Sequence, residues 1–181
     1  MNRTIGIQII LIISLLNHCL VAQNWQPTTA TITFKIKHAF GATAEGEFKG
    51  FLGSINLDRT NLTSASIKAT IDVKTISTNI KLRDNAIRGK EYFSADEYPR
   101  ISMVSTKIEK TIKQNEYIGY FSLTIKNVTK NIKFPFIFTQ VKDQGVFTGN
   151  FTINRTDFGI GEKSFLLGNA TTIYIKVNTQ Q

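Results

Sequence analysis

The stretch Thr31–Gly41, TITFKIKHAFG, decides the fold because apolar and polar side chains alternate along it. One side carries Ile32, Phe34 and Ile36, and the other side carries threonine and lysine. Successive side chains of a strand point to opposite faces, so the pattern predicts a strand with one buried face. A packed core and the wall of a cavity would give the same alternation. The function depends on which of the two is present.

The same alternation recurs to the end of the chain and predicts eight strands, rich in the β-branched and aromatic residues that suit a pleated surface. The segments are ATITFKIKH, AEGEFKGFLGSINL, ASIKATIDV, ISMVSTKIEKTI, YIGYFSLTI, NIKFPFIF, GVFTGNFTIN and TTIYIKV. Their connections are short and carry Asn, Asp and Gly, which predicts antiparallel neighbours. Residues 79–98 lose the alternation and predict one or two short helices between strands 3 and 4.

Eight antiparallel strands form either a sandwich or a closed barrel, and the alternation fits both. Closure removes the exposed edges that invite aggregation. It also leaves an interior that side chains can fill or that can hold one small ligand. The chain shows no internal repeat and no linker, so the expectation is one all-β domain.

The first residues have the pattern of a secretory signal: Arg3, then an apolar run from Ile5 to Leu16, then a short polar stretch. The run is too short to span a bilayer. We therefore expect a cleaved signal peptide at 1–22, a single domain at 23–181 and an exported protein, periplasmic or secreted. Cys19 would leave with the signal, and the residues before it do not fit a lipid-anchored cysteine.

The mature chain would keep no cysteine and one histidine, His38, which argues against disulfides, thiol chemistry and Cys/His metal sites. No GxSxG motif accompanies a serine, so no catalytic residues are predicted. The net charge is +9. The lysines lie on the polar sides of several strands without interleaved aromatics, which argues for a solvated exterior and against a nucleic-acid partner.

The apolar sides of the strands carry large amounts of hydrocarbon. Phenylalanines and isoleucines dominate, including Phe34, Phe48, Phe134, Phe136, Phe138, Phe151, Ile173 and Ile175. A lumen lined in this way would favour a long hydrocarbon, which gains about 0.8 kcal/mol for each methylene buried. The mixture of small and large residues is equally typical of a filled core.

Six blocks in order resemble one known family: TFKIKH, EGEFKGFLGSINLD, ASIKATIDVKTIST, LRDNAIRGKEYFSADEYPRI, LTIKNVTKNIKFPF and FTINRTDFGIG. The chain is similar to the YceI-like family of polyisoprenoid-binding proteins. The resemblance implies an eight-stranded, lipocalin-like antiparallel barrel with a helix near its opening. It also implies an exported, non-enzymatic protein, a homodimer as one state, and a ligand with a long apolar tail: an isoprenoid quinone, a polyprenyl phosphate or a fatty amide.

Two motifs of that family fall on particular residues. Its helix motif covers Arg83, Asp84, Arg88, Phe93, Tyr98 and Pro99, and its late turn motif covers Asn154, Arg155, Asp157, Phe158 and Gly159. An ion pair, a turn or an anchor for a lid would explain both motifs structurally. Ala86 stands where the family usually has histidine, which puts a polar ligand contact there in doubt. Phe121 and Asn127 stand where glycine is usual, and Phe121 would narrow the lumen.

We therefore predict an exported carrier without cofactors other than its lipid, with a ligand-binding wall and no metal site. The predicted wall is Ile32, Phe34, Ile36, Phe48, Ile67, Ala69, Ile71, Met103, Leu123, Ile125, Phe134, Phe136, Phe151, Ile153, Ile173 and Ile175. His38, Arg83 and Arg88 are candidates for contacts with a polar head group. The alternative is a basic-surfaced β-sandwich with a filled core that acts as an adhesion or interaction module.

Overall fold

The computed structural model describes residues 24–181, apart from the side chain of Phe40. The predicted signal peptide lies outside these residues. The strands are β1 Asn24–His38, β2 Thr43–Phe48, β3 Gly50–Asn56, β4 Ser66–Asp72, β5 Arg100–Lys110, β6 Glu116–Ile125, β7 Val128–Val141, β8 Gln144–Asn154 and β9 Leu167–Gln180. One α-helix, α1, spans Lys81–Arg88, and short 3-10 turns occupy Ala39–Gly41, Val73–Thr75 and Arg155–Phe158.

The sheet closes on itself because β1 is hydrogen-bonded along both edges. Ile32 pairs with Phe48 of β2 on one side and with Ile175 of β9 on the other. From β3 to β9 each strand pairs antiparallel with the next one in the chain. The result is a barrel, and the prediction of an antiparallel barrel is confirmed.

Nine strands make eight walls because β2 and β3 continue one another. Both pair with β1, and the pairings Ile32 with Phe48 and Asn24 with Asn56 keep one register across the break at Lys49. β2 and β3 therefore act as a single interrupted strand. The predicted count of eight is confirmed in this sense.

Two-residue turns join several neighbouring strands. Lys126 and Asn127 connect β6 to β7 with φ values of 49° and 61°. Left-handed backbone at both central positions is the geometry that matches the twist of paired strands. Asn127 thus adopts the left-handed turn expected of an asparagine in a position where glycine is usual.

Large aromatic side chains fill one end of the barrel, where the chain enters at Asn24. Trp25 is fully buried, packs edge-on against Phe138 with 4.9 Å between ring centroids, and donates from its indole nitrogen to Leu57 O. Phe138 stacks on Phe147 at 4.2 Å. We call this set of four, Trp25, Leu57, Phe138 and Phe147, the floor. At this end the interior is a packed core.

The opposite end of the barrel is covered by irregular chain and α1. This helix lies between β4 and β5, the third and fourth walls, where a helix was predicted. It ends at Gly89, whose N–H donates to Ala86 O. Residues 95–97 form a single turn and not a second helix: Ser94 O accepts from the N–H groups of Glu97 at 2.9 Å and Tyr98 at 2.8 Å.

The lysines of the strands face outward as the alternation predicted. Of those on polar sides, Lys35, Lys37, Lys68, Lys133 and Lys176 are exposed. Lys126 is half-buried, and its ammonium donates to Gly159 O at 2.6 Å. The charge of the outer surface therefore keeps the polar faces of the strands solvated.

The assignment of inward and outward side chains can be tested on β7, which contributes Phe138 to the floor. Phe138→Ala should lower the free energy of unfolding by about 3 to 5 kcal/mol, because a buried phenyl ring leaves a cavity. Ile137→Ala, its outward neighbour with 45% of its surface exposed, should cost about 1 kcal/mol or less. Urea unfolding of both variants measures the difference, and equal losses would show that the assigned faces are wrong.

Candidate functional site

A cavity of about 450 Å³ occupies the barrel between the floor and the covered end. Its wall includes every residue of the predicted set except two: Ile32, Phe34, Ile36, Phe48, Ile67, Ala69, Ile71, Arg83, Met103, Leu123, Ile125, Phe134, Phe136, Phe151, Ile153, Ile173 and Ile175. The strands bring these side chains together because each contributes every second residue to the interior. Their role in ligand binding stays a prediction.

The wall changes character along the barrel axis. Towards the floor it is formed by tightly buried residues such as Phe136 and Val177. Towards the covered end it is formed by half-buried ones such as Ile36 and Ala44. The cavity is therefore closed at the floor, and its accessible end lies beside α1.

A stack of three phenyl rings limits the depth of the cavity. Phe134 stacks on Phe121 at 4.9 Å and on Phe151 at 4.7 Å between ring centroids. Gly119 leaves the space that Phe121 occupies, since a Cβ at position 119 would lie 2.3 Å from Phe121 Cε2. Phe121 thus takes up volume on the wall where a glycine would leave the lumen wider.

The segment between β4 and β5, which contains α1, forms the first covering segment. Hydrogen bonds within it engage its polar groups, so few of these groups are left to face the cavity. Asp84 is buried and accepts from the N–H and the hydroxyl of Thr78. The Thr78 hydroxyl accepts in turn from Arg83 Nε at 2.7 Å, and Thr78 O accepts from Arg83 Nη2 at 2.9 Å. Arg83, Thr78 and the apolar Ala86 and Ile87 form the cavity side of this segment.

An exposed ion pair ties the same segment to the 3-10 turn after β4. Lys74 Nζ lies 2.6 Å from Asp96 Oδ1. The hydrogen bond and the charge of Lys74 lower the pKa of the Asp96 carboxyl, and Asp96 in turn raises the pKa of Lys74. The pairing is therefore retained at neutral pH and is lost as the pH falls through the lowered carboxyl pKa. Such an exposed pair contributes little stability.

A second covering segment follows β8 and is organised by Arg155. This arginine is 4% exposed and lies on the cavity wall. Its guanidinium donates to the carbonyls of Ile160 at 2.6 Å, Glu162 at 2.7 Å and Gly168 at 2.9 Å. Arg155 thereby anchors residues 160–168 over the end of the barrel. Of the structural roles considered for the late turn motif, both the turn, which Asn154 caps and Gly159 ends, and the anchor are observed.

The two covering segments meet at Gly161. Its N–H donates to Glu91 O at 2.9 Å, and its φ is 63°. A Cβ at this position would lie 2.8 Å from Arg155 Nη1 and 2.9 Å from Tyr92 Cε1. Glycine is therefore required here both by backbone conformation and by the close approach of two side chains.

Two residues predicted to contact a polar head group lie off the wall. His38 is exposed at the end of β1, where the pairing with β9 shifts register between Ile36 and His38 and the chain turns away. Arg88 lies on the side of α1 away from the cavity and donates to the carbonyls of Lys74 and Ile76 and to Asn85 Oδ1. Neither residue lines the cavity, and their predicted contacts with a head group stay predictions.

Sequence reasoning missed part of the wall, both on strands, such as Ile55, Ile101 and Val177, and in the covering segments. The additional wall residues include Ile76, Thr78, Ala86, Ile87, Tyr92, Phe93, Arg155, Ile160 and Leu167. Alternation cannot assign a face to residues outside strands. The only signal was the family resemblance, whose helix and late turn motifs cover or adjoin most of these positions.

The chemistry available to the wall is that of binding. In the described part of the chain no Asp, Glu, His or Cys lines the cavity, and its charged members are Arg83, Arg155 and Lys68. Lys68 alternates with the inward Ile67 and Ala69, and its side chain is exposed. The cavity can bury an apolar chain and offer two guanidinium groups near its covered end.

Comparisons with known proteins agree with this architecture. A family model described as the YceI-like domain matches residues 24–179. A UPF0312 protein of Photorhabdus laumondii is 33% identical over 103 residues, which are 57% of this chain and 53% of that protein. The chain thus spans about half the length of that relative.

Solved structures show the same fold at low sequence identity. Burkholderia cenocepacia BcnA superposes with a TM-score of 0.78 and 24% identity, over 82% of this chain and 95% of that one. A polyisoprenoid binding domain from Saccharophagus degradans gives a TM-score of 0.70 at 10% identity, over 88% of this chain and 98% of that one. At these identities the likeness concerns the fold alone.

The junction of the two covering segments can be tested by a pair of glycine substitutions. Gly161→Ala and Gly159→Ala both place alanine in left-handed backbone, at a cost of about 1 to 2 kcal/mol each. A Cβ at Gly159 meets only Lys126 Nζ, at 3.9 Å. Gly161→Ala must also displace Arg155 or Tyr92, and Arg155 is held by its carbonyl partners.

We therefore expect Gly161→Ala to lose more stability than Gly159→Ala and to raise amide hydrogen exchange across residues 160–168. Urea unfolding and exchange measured by mass spectrometry give the two readouts. If both variants exchange alike in this segment, the close packing at Gly161 does not hold the cover in place.

Proposed function

As the chain belongs to the family of YceI-like domains, we propose that it is an exported carrier that holds a long-chain amphiphile in the barrel cavity. The observation that carries the proposal is the apolar cavity of about 450 Å³, closed at the floor and accessible beside α1. Volumes of this order are typical of small-molecule sites. The printed description of the Saccharophagus neighbour as a polyisoprenoid binding domain agrees with such a ligand.

The energetics favour a hydrocarbon chain as the guest. Each buried methylene contributes about 0.8 kcal/mol. Ten of them would contribute about 8 kcal/mol before the cost of ordering the chain, which is the scale of micromolar binding. A sugar or nucleotide would leave polar groups without partners against the apolar wall, at a cost of about 1 to 3 kcal/mol for each group. Isoprenoid quinones, polyprenyl phosphates and fatty amides all have the required tail.

Export is part of the proposal and is supported by the signal pattern at 1–22. No helix within residues 24–181 is long and apolar enough to cross a membrane. The periplasm or the exterior would then be where the protein meets its ligand. A homodimer stays a prediction.

We propose that the protein performs no chemistry on its ligand. The cavity wall offers apolar side chains and arginines, and His38, the one histidine considered as a base, is exposed and off the wall. A general base must lie within hydrogen-bonding reach of the proton that it removes. His38 is not among the residues that line the cavity. The lipid itself is the only bound group that the proposal requires.

The alternative of an interaction module with a filled core fits the molecule less well. The sheet is a closed barrel rather than a sandwich, and the buried side chains form two separate clusters, one around the floor and one under the covered end, with the cavity along both. The exposed lysines remain compatible with acidic partners. They do not account for a hollow interior at the end beside α1.

Ala69 gives the direct test, because it is a small residue on the wall of the cavity. Ala69→Trp should leave the melting temperature of the ligand-free protein nearly unchanged, since the indole enters empty space. The same indole should abolish uptake of a fluorescent long-chain probe. Thermal unfolding and probe titration measure the two effects.

Thr70→Trp is the matched control, because Thr70 has the opposite parity on the same strand, β4. This variant should bind the probe like the parent protein. Overpacking of a filled core would instead destabilise Ala69→Trp by about 1 to 3 kcal/mol. That loss, or unchanged uptake by Ala69→Trp, would contradict the carrier proposal.

A further inference from the structure

The charged side chains on the cavity wall are all cationic. Across residues 24–181 the wall includes Arg83 and Arg155 and no carboxylate, and the Lys68 side chain points outward. Burial of a hydrocarbon requires no charge. The two arginines are therefore the features by which this cavity can discriminate between amphiphiles with the same tail.

Arg155 is a buried cation whose hydrogen-bond acceptors are all neutral. Its partners are Gly168 O, Ile160 O, Glu162 O, Leu167 O and Asn169 Oδ1, at 2.6 to 3.4 Å. None of the ion pairs found in the described residues includes it. Buried charges in proteins are normally paired with an opposite charge. The carbonyl dipoles stabilise the guanidinium but leave its full positive charge beside the lumen.

Arg83 has donors that its protein partners do not use. Nε and Nη2 donate to the hydroxyl and the carbonyl of Thr78, whereas Nη1 donates to no acceptor in the part of the chain that the structure describes. Asp84, the nearest acid in the sequence, is occupied by the Thr78 N–H and hydroxyl and does not line the cavity. A guanidinium with a free edge is suited to donate hydrogen bonds to two oxygens of a carboxylate or phosphate.

Both arginines lie at the same end of the barrel, away from the floor. Arg155 directly follows β8, whose inward residues run from Phe147 at the floor through Phe151 to the covered end. Arg83 lies on α1, within the cover. An amphiphile bound with its tail towards Trp25 would therefore bring its head group to the arginines.

We propose that the cavity selects amphiphiles with an anionic head group, a carboxylate or a phosphate, over those with a neutral head group. The proposal rests on the proposed function, because it concerns the head of the ligand whose tail fills the lumen. The anion pairs with Arg83 and Arg155 in a site largely shielded from water, where charge interactions are stronger than in bulk solvent. Neutral heads such as alcohols leave the guanidinium charges without a counter-ion.

The experiment compares head groups on one tail by displacement of the neutral dye Nile red. Hexadecanol, palmitate and hexadecyl phosphate are titrated below their aggregation limits. At least one of the two anions should bind about tenfold or more tightly than the alcohol, as expected of one additional charge-assisted hydrogen bond. The ratio between palmitate and hexadecyl phosphate distinguishes a carboxylate from a phosphate as the preferred head.

Variants assign the preference to the arginines. Arg83→Gln should weaken binding of the anions about tenfold more than binding of hexadecanol, and Arg83→Lys, which keeps the charge but not the planar pair of donors, should retain only part of the preference. Arg88→Gln is the matched control, since Arg88 lies on the same helix and off the wall. It should leave the preference unchanged. Arg155 also anchors the cover, and loss of the anchor would unfold the cover. Arg155→Lys is therefore the variant used at this position, because it keeps the positive charge.

The outcomes separate this proposal from the carrier function. If hexadecanol binds as tightly as both anions, or if Arg83→Gln weakens all three ligands equally, the head-group proposal is overturned and the carrier function stands. If none of the three displaces Nile red, both proposals are overturned.

Discussion

Hydrogen bonding of β1 along both of its edges is the constraint on which the molecule depends. Ile32 pairs with a residue of β2 on one side and of β9 on the other, so the last strand returns to the first and the sheet closes. Closure converts the alternation of side chains into an inside and an outside. Without the pairing of β1 and β9 the same strands would form an open sheet, and the apolar sides would need another layer to cover them.

The hollow results from an uneven distribution of side-chain volume along the closed barrel. Trp25, Phe138 and their neighbours fill one end, whereas at the other end isoleucines and a looser group of aromatic rings around Phe48 line the cavity under irregular chain. A covering segment brings backbone N–H and C=O groups that need hydrogen-bond partners, and here the partners lie in the covering segments themselves. Thr78 and Arg155 form hydrogen bonds with the polar groups of the two covering segments. The lumen below is thereby left almost wholly apolar.

The sequence predicted what depends on local periodicity. The alternation around Phe34 indicated strand β1 and its inward face, and the same reasoning along the other strands identified residues that do line the cavity, although it found fewer than half of them. Closure could not be derived in this way, because the pairing of β1 with β9 joins residues more than a hundred positions apart and depends on the whole sheet. The break at Lys49 was also not predicted. Across this break β2 and β3 keep one register with β1, so the two strands take the place of one continuous strand.

The errors and omissions at the site have identifiable causes. His38 was placed inward by extending the alternation of β1 past Ile36, where the pairing in fact shifts. Arg88 was placed by motif, and only the structure shows that its guanidinium binds carbonyls beside the 3-10 turn. Tyr92 and Ile160 lie outside any strand, so no periodicity could assign them to the wall. Tertiary contacts, not local pattern, position the cover.

The central claim, that a long apolar chain occupies this lumen, is tested most directly by methyl NMR with a fatty acid that carries a nitroxide on its tail. Because paramagnetic broadening falls steeply with distance, the account predicts stronger broadening of the methyl signals of the inward Ile67 and Ile175 than of the outward Val104 and Ile137. Broadening confined to the outward methyls, or none at any of the four, would contradict it.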